Sequence, residues 1–480
     1  MPNSVQTAVR AWAEKAVTAI GAFNRRRMPD RGAPFLVGVH APMPAELTLT
    51  DLVVTGTIPP GLNGRYLKMG ANPVRPEHAG HHWFLGDGMV HGIALRDGRA
   101  LWYRNRWILS RLAAAALRRA SAPGPRRGIN DTVNTNIVAI GGQPVAVVEA
   151  GSYPVALSDT LEQQEYTAFG GTLQGAFSGH PHRDPATGEQ HLIAYDGRVW
   201  DAVRHVVVSA SGRVVRDVAI PVRHGPCVHD CGLTARFVLV LDLPVTFSMR
   251  AVLAGQVFPY RWNAGHRARL GLLPRAGDAD AIIWCEVPTC FVFHVANAHD
   301  EPDGRVVLDV IAYDTMFASG SLSGASGLDA LGRLERWTVD PVARQVDRVV
   351  LDATPQEFPR IDERRFGQAH RYAYTVAVPE DGNTQLAGAT RLYKHDLVAG
   401  TRQVHEFGAD TVPGEFVFVP ARADAAEDEG WLLGLVIDTA ADRTALVILD
   451  ARAVEAAPVA SVQLPHRIPP GFHGNWFPDA

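Results

Sequence analysis

Four of the nineteen histidines are set apart by their surroundings, each beside small or turn-forming residues at the edge of a strand-like run. They are His180 in Phe177-Ser178-Gly179-His180-Pro181-His182, His229 in Pro226-Cys227-Val228-His229-Asp230, His294 in Phe291-Val292-Phe293-His294-Val295, and His473 in Pro470-Gly471-Phe472-His473-Gly474. A strand that ends in a histidine after alternating apolar positions can aim its imidazole at a common axis. Imidazole suits divalent iron, copper, nickel or zinc. Taken singly, a buried histidine is more often just hydrogen-bonded, so only the set carries weight. Three acids share such settings: Glu149 after Val145-Ala146-Val147-Val148, Glu357 before Phe358-Pro359, and Glu415 before Phe416-Val417-Phe418. A carboxylate among apolar residues needs a partner or it is protonated. The second N–H of a metal-bound imidazole is such a partner, and the contact fixes the tautomer. In chain order the seven positions are separated by 31, 49, 65, 63, 58 and 58 residues. The last four steps are near-regular, as expected if each blade of a propeller sends one residue to the axis.

The elements that must position these residues read as β. The chain has 480 residues, 46% of them apolar and 20% charged, which excludes a disordered or a membrane-spanning chain. The net charge of −4 offers nothing to nucleic acid. Gly at 45 and Pro at 33 fit a turn-rich fold. Asp97-Gly98, Asp303-Gly304, Asp381-Gly382 and, more weakly, Ser211-Gly212 are hairpin signals. Between them lie strand-like runs such as 204–208, 237–241 and 305–311. Residues 45–480 read as a single all-β propeller domain with a helical insertion at about 108–128, preceded by an amphipathic lead-in over 1–44.

Four cysteines without a CxxC pair point to a reducing cytoplasm, and no apolar run is long enough to span a bilayer. Two segments are amphipathic and arginine-flanked: Val9, Trp12, Ala16, Ile20 and Phe23 before Arg25-Arg26-Arg27, and Leu109, Leu112, Ala113, Ala116 and Leu117 beside Arg111, Arg118 and Arg119. Such helices either lie in a headgroup layer, giving a peripheral contact at the inner membrane surface, or pack on their own protein.

The chain resembles the carotenoid cleavage oxygenases, which include stilbene-cleaving dioxygenases and the retinoid isomerase of the pigment epithelium. The resemblance runs through Gly56-Thr57-Ile58-Pro59-Pro60-Gly61-Leu62-Asn63-Gly64, Trp83-Phe84-Leu85-Gly86-Asp87-Gly88-Met89-Val90-His91-Gly92, His180 with Asp184-Pro185, His229-Asp230, His294 with Asn297, and Leu464-Pro465-His466-Arg467-Ile468-Pro469 through His473. It implies a seven-bladed β-propeller with a small helical and loop cap over the active-site face. It also implies one Fe(II) per chain held by His180, His229, His294 and His473, with Glu149, Glu357 and Glu415 behind them. Three glutamates serve four histidines, and His180 is the one expected to lack a carboxylate. The reaction implied is cleavage of a conjugated C=C by O2 to two carbonyl products, the substrate a carotenoid or apocarotenoid. The alternatives are a lignostilbene or resveratrol-type stilbene, or an isomerase or binding module on the same scaffold. Stilbene-cleaving relatives anchor the phenol with a tyrosine and a lysine. Tyr103 matches the tyrosine and Asn136 takes the lysine's place, so both are expected at the substrate tunnel.

The remaining candidates read as structural. His182, His224, His299 and His466 lie near motifs but outside the pattern, and His81-His82 beside Trp83 is expected near the tunnel wall. A zinc site of Cys227, His229 and Cys231 would have cramped spacing and no fourth ligand. No P-loop, GxSxG or flanked Rossmann motif is present.

Overall fold

The computed structural model describes residues 16–17, 19–27, 33–77, 81–128, 130–318 and 331–479. Val9 and Trp12 of the lead-in stripe lie outside these residues. The described chain is overwhelmingly β, with its longest strands ten residues and its helices short. Turn chemistry acts where the dipeptides predict. Asp97 and Gly98, at φ 50° and 72°, turn Gly88–Arg96 back onto Arg99–Trp107, the double positive φ of a tight hairpin. Gly304 and Gly212, at φ 91° and 77°, each sit in a five-residue loop that turns one strand back onto the next. Asp381-Gly382 sits instead in a long loop between the paired strands Tyr372–Ala377 and Arg391–Asp396.

The expectation of seven blades is not met. Five sheets of four or five strands stand as blades, while the remaining large sheet has eight strands in continuous hydrogen-bonded order from Cys231–Leu233 to Phe291–Asp300. Those two end strands lie against each other, so the sheet comes close to a closed barrel. Its two halves are joined by one parallel bridge, Glu286 to Gln345. Spacing along the chain reports which residues reach an axis, but not whether outer strands pair sideways, and that lateral pairing sets the blade count. A two-stranded ribbon, Val245–Phe247 with Tyr260–Trp262, completes the sheets.

The ring is closed twice. Gly474–Pro478 near the C-terminus pairs with Gly64–Ala71, and Val53–Gly56 pairs with Ala460–Leu464. Both pairings remove sheet edges that would otherwise be left open. They also anchor the strand that follows His473 to the first blade.

Short helices border one face. Helix α1, Arg111–Leu117, starts at Ser110, whose hydroxyl accepts from the Ala113 N–H at 3.1 Å, and ends at Arg118 in the left-handed region. Ala113 and Ala114 are buried, whereas Leu112 of the same predicted apolar stripe is 65% exposed. The predicted insertion over 108–128 is otherwise non-helical among its described residues. Residues 19–25 are helical and rest on the turn after helix α2, Met249–Leu253. There the Asn24 amide donates to Leu253 O at 2.7 Å and Arg25 Nε to Gly255 O at 3.0 Å. Through Asn24 and Arg25 the described part of the lead-in is tied to its own protein. Among the described residues no helix is long and apolar enough to cross a membrane.

Candidate metal centre and substrate cavity

His180, His229 and His473 stand one or two residues before the innermost strands of their sheets, and His294 lies within Phe291–Asp300. Strand register shifts between Val292 and Val295, between Glu357 and Arg360, and between Pro413 and Phe416. Such irregularities re-aim a side chain out of the ordinary alternation, and here they fall on His294, Glu357 and Glu415. Phe358, at φ 54°, extends the distortion beyond Glu357.

The outcome is convergence. One ring nitrogen from each of His180, His229, His294 and His473 lies within 4.8 Å of the others. His180 Nε2 and His229 Nε2 are 3.0 Å apart. Two ligands about 2.1 Å from one ion at right angles have that separation. His294 Nε2 is buried without a hydrogen-bond partner. A buried polar atom left so would be costly, and a cation at the centre satisfies it. The donor set thus fits a divalent transition metal.

The carboxylates meet the outer nitrogens. His229 Nδ1 donates to Glu149 at 2.8 Å, His294 Nδ1 to Glu357 at 2.6 Å, and His473 Nδ1 to Glu415 at 3.0 Å. With Nδ1 as donor, Nε2 keeps the lone pair a metal requires. Among the described residues, none of these carboxylates bonds His180. Burial disfavours the charge of Glu357, but His294 and the Tyr313 hydroxyl outweigh it and hold the carboxyl below its ordinary pKa. Burial likewise opposes ionisation of Glu415, yet Arg360 and His473 bring it down to about 2. His294 is the converse: desolvation is overcome by Glu357 and its pKa rises. His180 falls well below its usual value through burial and then the neighbouring imidazoles.

The centre opens onto a cavity of about 930 Å³. Near His229, His294 and His473 its wall includes Phe84, Phe258, Phe293, Phe358 and Phe472, and farther out it includes Arg25, Leu112, Ala116 and Val257. Helix α1 and the helical residues before Arg25 thus border this cavity. The phenylalanine rings form a contact network, as between Phe293 and His229 at 5.1 Å and Phe358 and His294 at 5.5 Å. Sequence reasoning did not single these rings out, although three of them, Phe293, Phe358 and Phe472, are next in sequence to His294, Glu357 and His473.

Tyr103 is not among the residues lining this cavity. It is fully buried inside the first blade, where its hydroxyl lies 3.0 Å from His91 Nδ1. Asn136 lines a second, smaller cavity, its amide donating to Gly179 O at 2.9 Å. Asn134 and Thr135 face the large cavity instead. His182 is bonded to Asp230 at 2.6 Å, His299 to Glu301 at 3.0 Å, and His224 to His266 at 3.1 Å. Cys227 donates to Tyr195 Oη, so it does not form a site with His229. His81 and Trp83 do line the large cavity.

Residues 40–478 match the family model described as retinal pigment epithelial membrane protein. The chain belongs to the carotenoid cleavage oxygenase family. It is 39% identical to a carotenoid cleavage oxygenase of Mycobacterium tuberculosis, over 93% of this chain and 97% of that one. Its fold is similar to that of a lignostilbene dioxygenase of Pseudomonas brassicacearum, with TM-score 0.84 and 25% identity over 94% of this chain and all of the other. A Synechocystis apocarotenoid oxygenase follows at TM-score 0.82 and 26% identity, over 92% of this chain and 98% of that one. Among oxygenases of this family, the chain is a carotenoid cleavage oxygenase-like dioxygenase.

Proposed function

We propose that the protein cleaves one conjugated double bond of a carotenoid or apocarotenoid with O2, using Fe(II) held by His180, His229, His294 and His473. The observation that carries this reading is four converging imidazole nitrogens, with His229, His294 and His473 lining a 930 Å³ cavity whose wall includes five phenylalanine rings. Iron, when bound, supplies activation of dioxygen. The alkene supplies all the electrons: one C=C is broken, two C=O bonds form, and no reductant is consumed. The chain's residues position and exclude water. Glu149, Glu357 and Glu415 hold three imidazoles in the ligating tautomer, and the aromatic wall keeps an extended polyene against the centre. The bond placed nearest the histidines is the one cut.

A polyene suits the wall better than a phenol does, because Tyr103, the expected phenol anchor, is committed to His91 away from the cavity. The exposed Ile20, Phe23, Leu112 and Val257 near the cavity's outer residues favour delivery from a lipid surface. The stilbene reading rests on the similarity to the lignostilbene dioxygenase. Incubation of iron-loaded protein with carotenoids, apocarotenals and hydroxystilbenes under air decides between them. Aldehydes from polyenes, identified by mass spectrometry with matching O2 uptake, are the expected outcome. Turnover of stilbenes alone overturns the substrate class, and a bound polyene without O2 uptake overturns cleavage.

A further inference from the structure

The three carboxylates behind the histidines differ in the company they keep. Glu149 accepts from His229, and Glu357 accepts from His294, the Tyr313 hydroxyl and the Phe358 N–H. Among the described residues neither is paired with an arginine or a lysine. Glu415 is. Arg360 Nη1 donates to its Oε1 at 3.3 Å, the same oxygen that accepts from His473 Nδ1, while Oε2 accepts from the Gly474 N–H at 2.8 Å. Lys68 Nζ packs against Gly414, one residue before Glu415, but makes no ion pair with that carboxylate. The contacting cation is therefore Arg360. It is largely buried and fixed from other sides: Nη1 also donates to Gly474 O at 3.3 Å, and Nη2 donates to Asn475 Oδ1 at 2.6 Å and pairs with Glu363. One guanidinium thus ties Gln356–Arg360, the strand that carries Glu357, to the strand that follows His473.

Two donors compete for Oε1, and the negative charge that a guanidinium engages is withdrawn from the imidazole. The imidazole–carboxylate distances follow that order: 2.6 Å for His294, 2.8 Å for His229 and 3.0 Å for His473. A carboxylate makes the far nitrogen of an imidazole more basic by drawing on the near N–H, so a shared carboxylate does this less. We infer that Arg360 is a positioning residue of the metal centre, acting through Glu415 to make His473 the weakest electron donor of the three carboxylate-backed imidazoles. The inference rests on the metal-centre reading above.

The test reads the infrared N–O stretch of nitric oxide added without air to the iron-loaded, full-length protein. That frequency falls as the imidazoles give the iron more electron density. Arg360→Gln keeps an amide donor but removes the charge, and its frequency is expected to shift below the wild-type value. Arg360→Lys restores the charge and is expected to bring the frequency back toward wild type. The Glu363 side chain is 51% exposed, so Glu363→Gln leaves the buried contacts in place and frees more of the guanidinium for Glu415. Its frequency is expected to rise. An unchanged or raised frequency in Arg360→Gln, or a lysine variant shifted as far as the glutamine one, reduces Arg360 to a brace and overturns the role. Where Arg360→Gln does not fold or hold iron, Glu363→Gln decides, a raised frequency supporting the role and an unchanged one overturning it. A wild-type protein that takes up no iron overturns the metal centre itself, an outcome distinct from the others.

Discussion

His91 is a buried imidazole and His294 a largely buried one, each with one close polar partner, yet the fold uses them in opposite ways. His294 Nδ1 meets the Glu357 carboxylate at 2.6 Å, and its Nε2 is left without a partner among three other imidazoles. His91 Nδ1 meets the Tyr103 hydroxyl at 3.0 Å inside the core of the first blade. Burial drives His91 down to about 3, whereas Glu357 lifts His294 against the same desolvation. Burial alone thus makes an imidazole neutral, whereas a carboxylate behind it leaves its second nitrogen facing a point shared with other imidazoles.

The sharpest break is His229→Ala. It removes one of four converging nitrogens and leaves Glu149 without its imidazole partner. Metal content by elemental analysis is expected to fall to background. Retention of wild-type content would show that convergence does not define the centre.

Glu357→Gln comes next. It keeps the shape and an acceptor for His294 but removes the charge that makes the imidazole more basic. Metal affinity or turnover is expected to drop by about 10–100-fold. No change in a competition titration against a chelator would reduce Glu357 to a packing residue.

The same contrast explains what was legible in the sequence. The four histidines and three glutamates could be found because each lies beside an inner strand in an apolar run, a pattern that needs no knowledge of neighbouring sheets. Tyr103 stays away from the large cavity because a strand has two faces. Along Arg99–Trp107 burial alternates, and Tyr103 falls on the face packed into its own blade with Met43, Ile93 and Trp107. The aromatic wall came from residues on separate sheets, and the blade count turned on one bridge between Glu286 and Gln345. Neither is written in local periodicity. For helix α1 the sequence leaves two readings open, and the stripe divides between them: Ala113 is buried and Leu112 is exposed, a split set by what the neighbouring cavity leaves uncovered.

The smallest effect concerns the imidazoles the chemistry does not use. His91, His82 and His205 are each held down to about 3, chiefly by burial, against an ordinary value of 6.5. Above 6.5 they are neutral in both the folded and the unfolded chain. As the pH falls from 6.5 toward 3 the unfolded chain takes up these protons and the folded chain does not, so stability is lost over that window. Each such group costs about 1.4 kcal/mol per pH unit within it. Denaturant unfolding of the metal-free protein at pH 7 and at pH 5 is expected to show the loss, and His91→Gln is expected to reduce its slope by the share of one proton. A slope unchanged in that variant would mean that His91 is already protonated in the fold, and the distinction between it and the axial histidines would then rest on convergence alone.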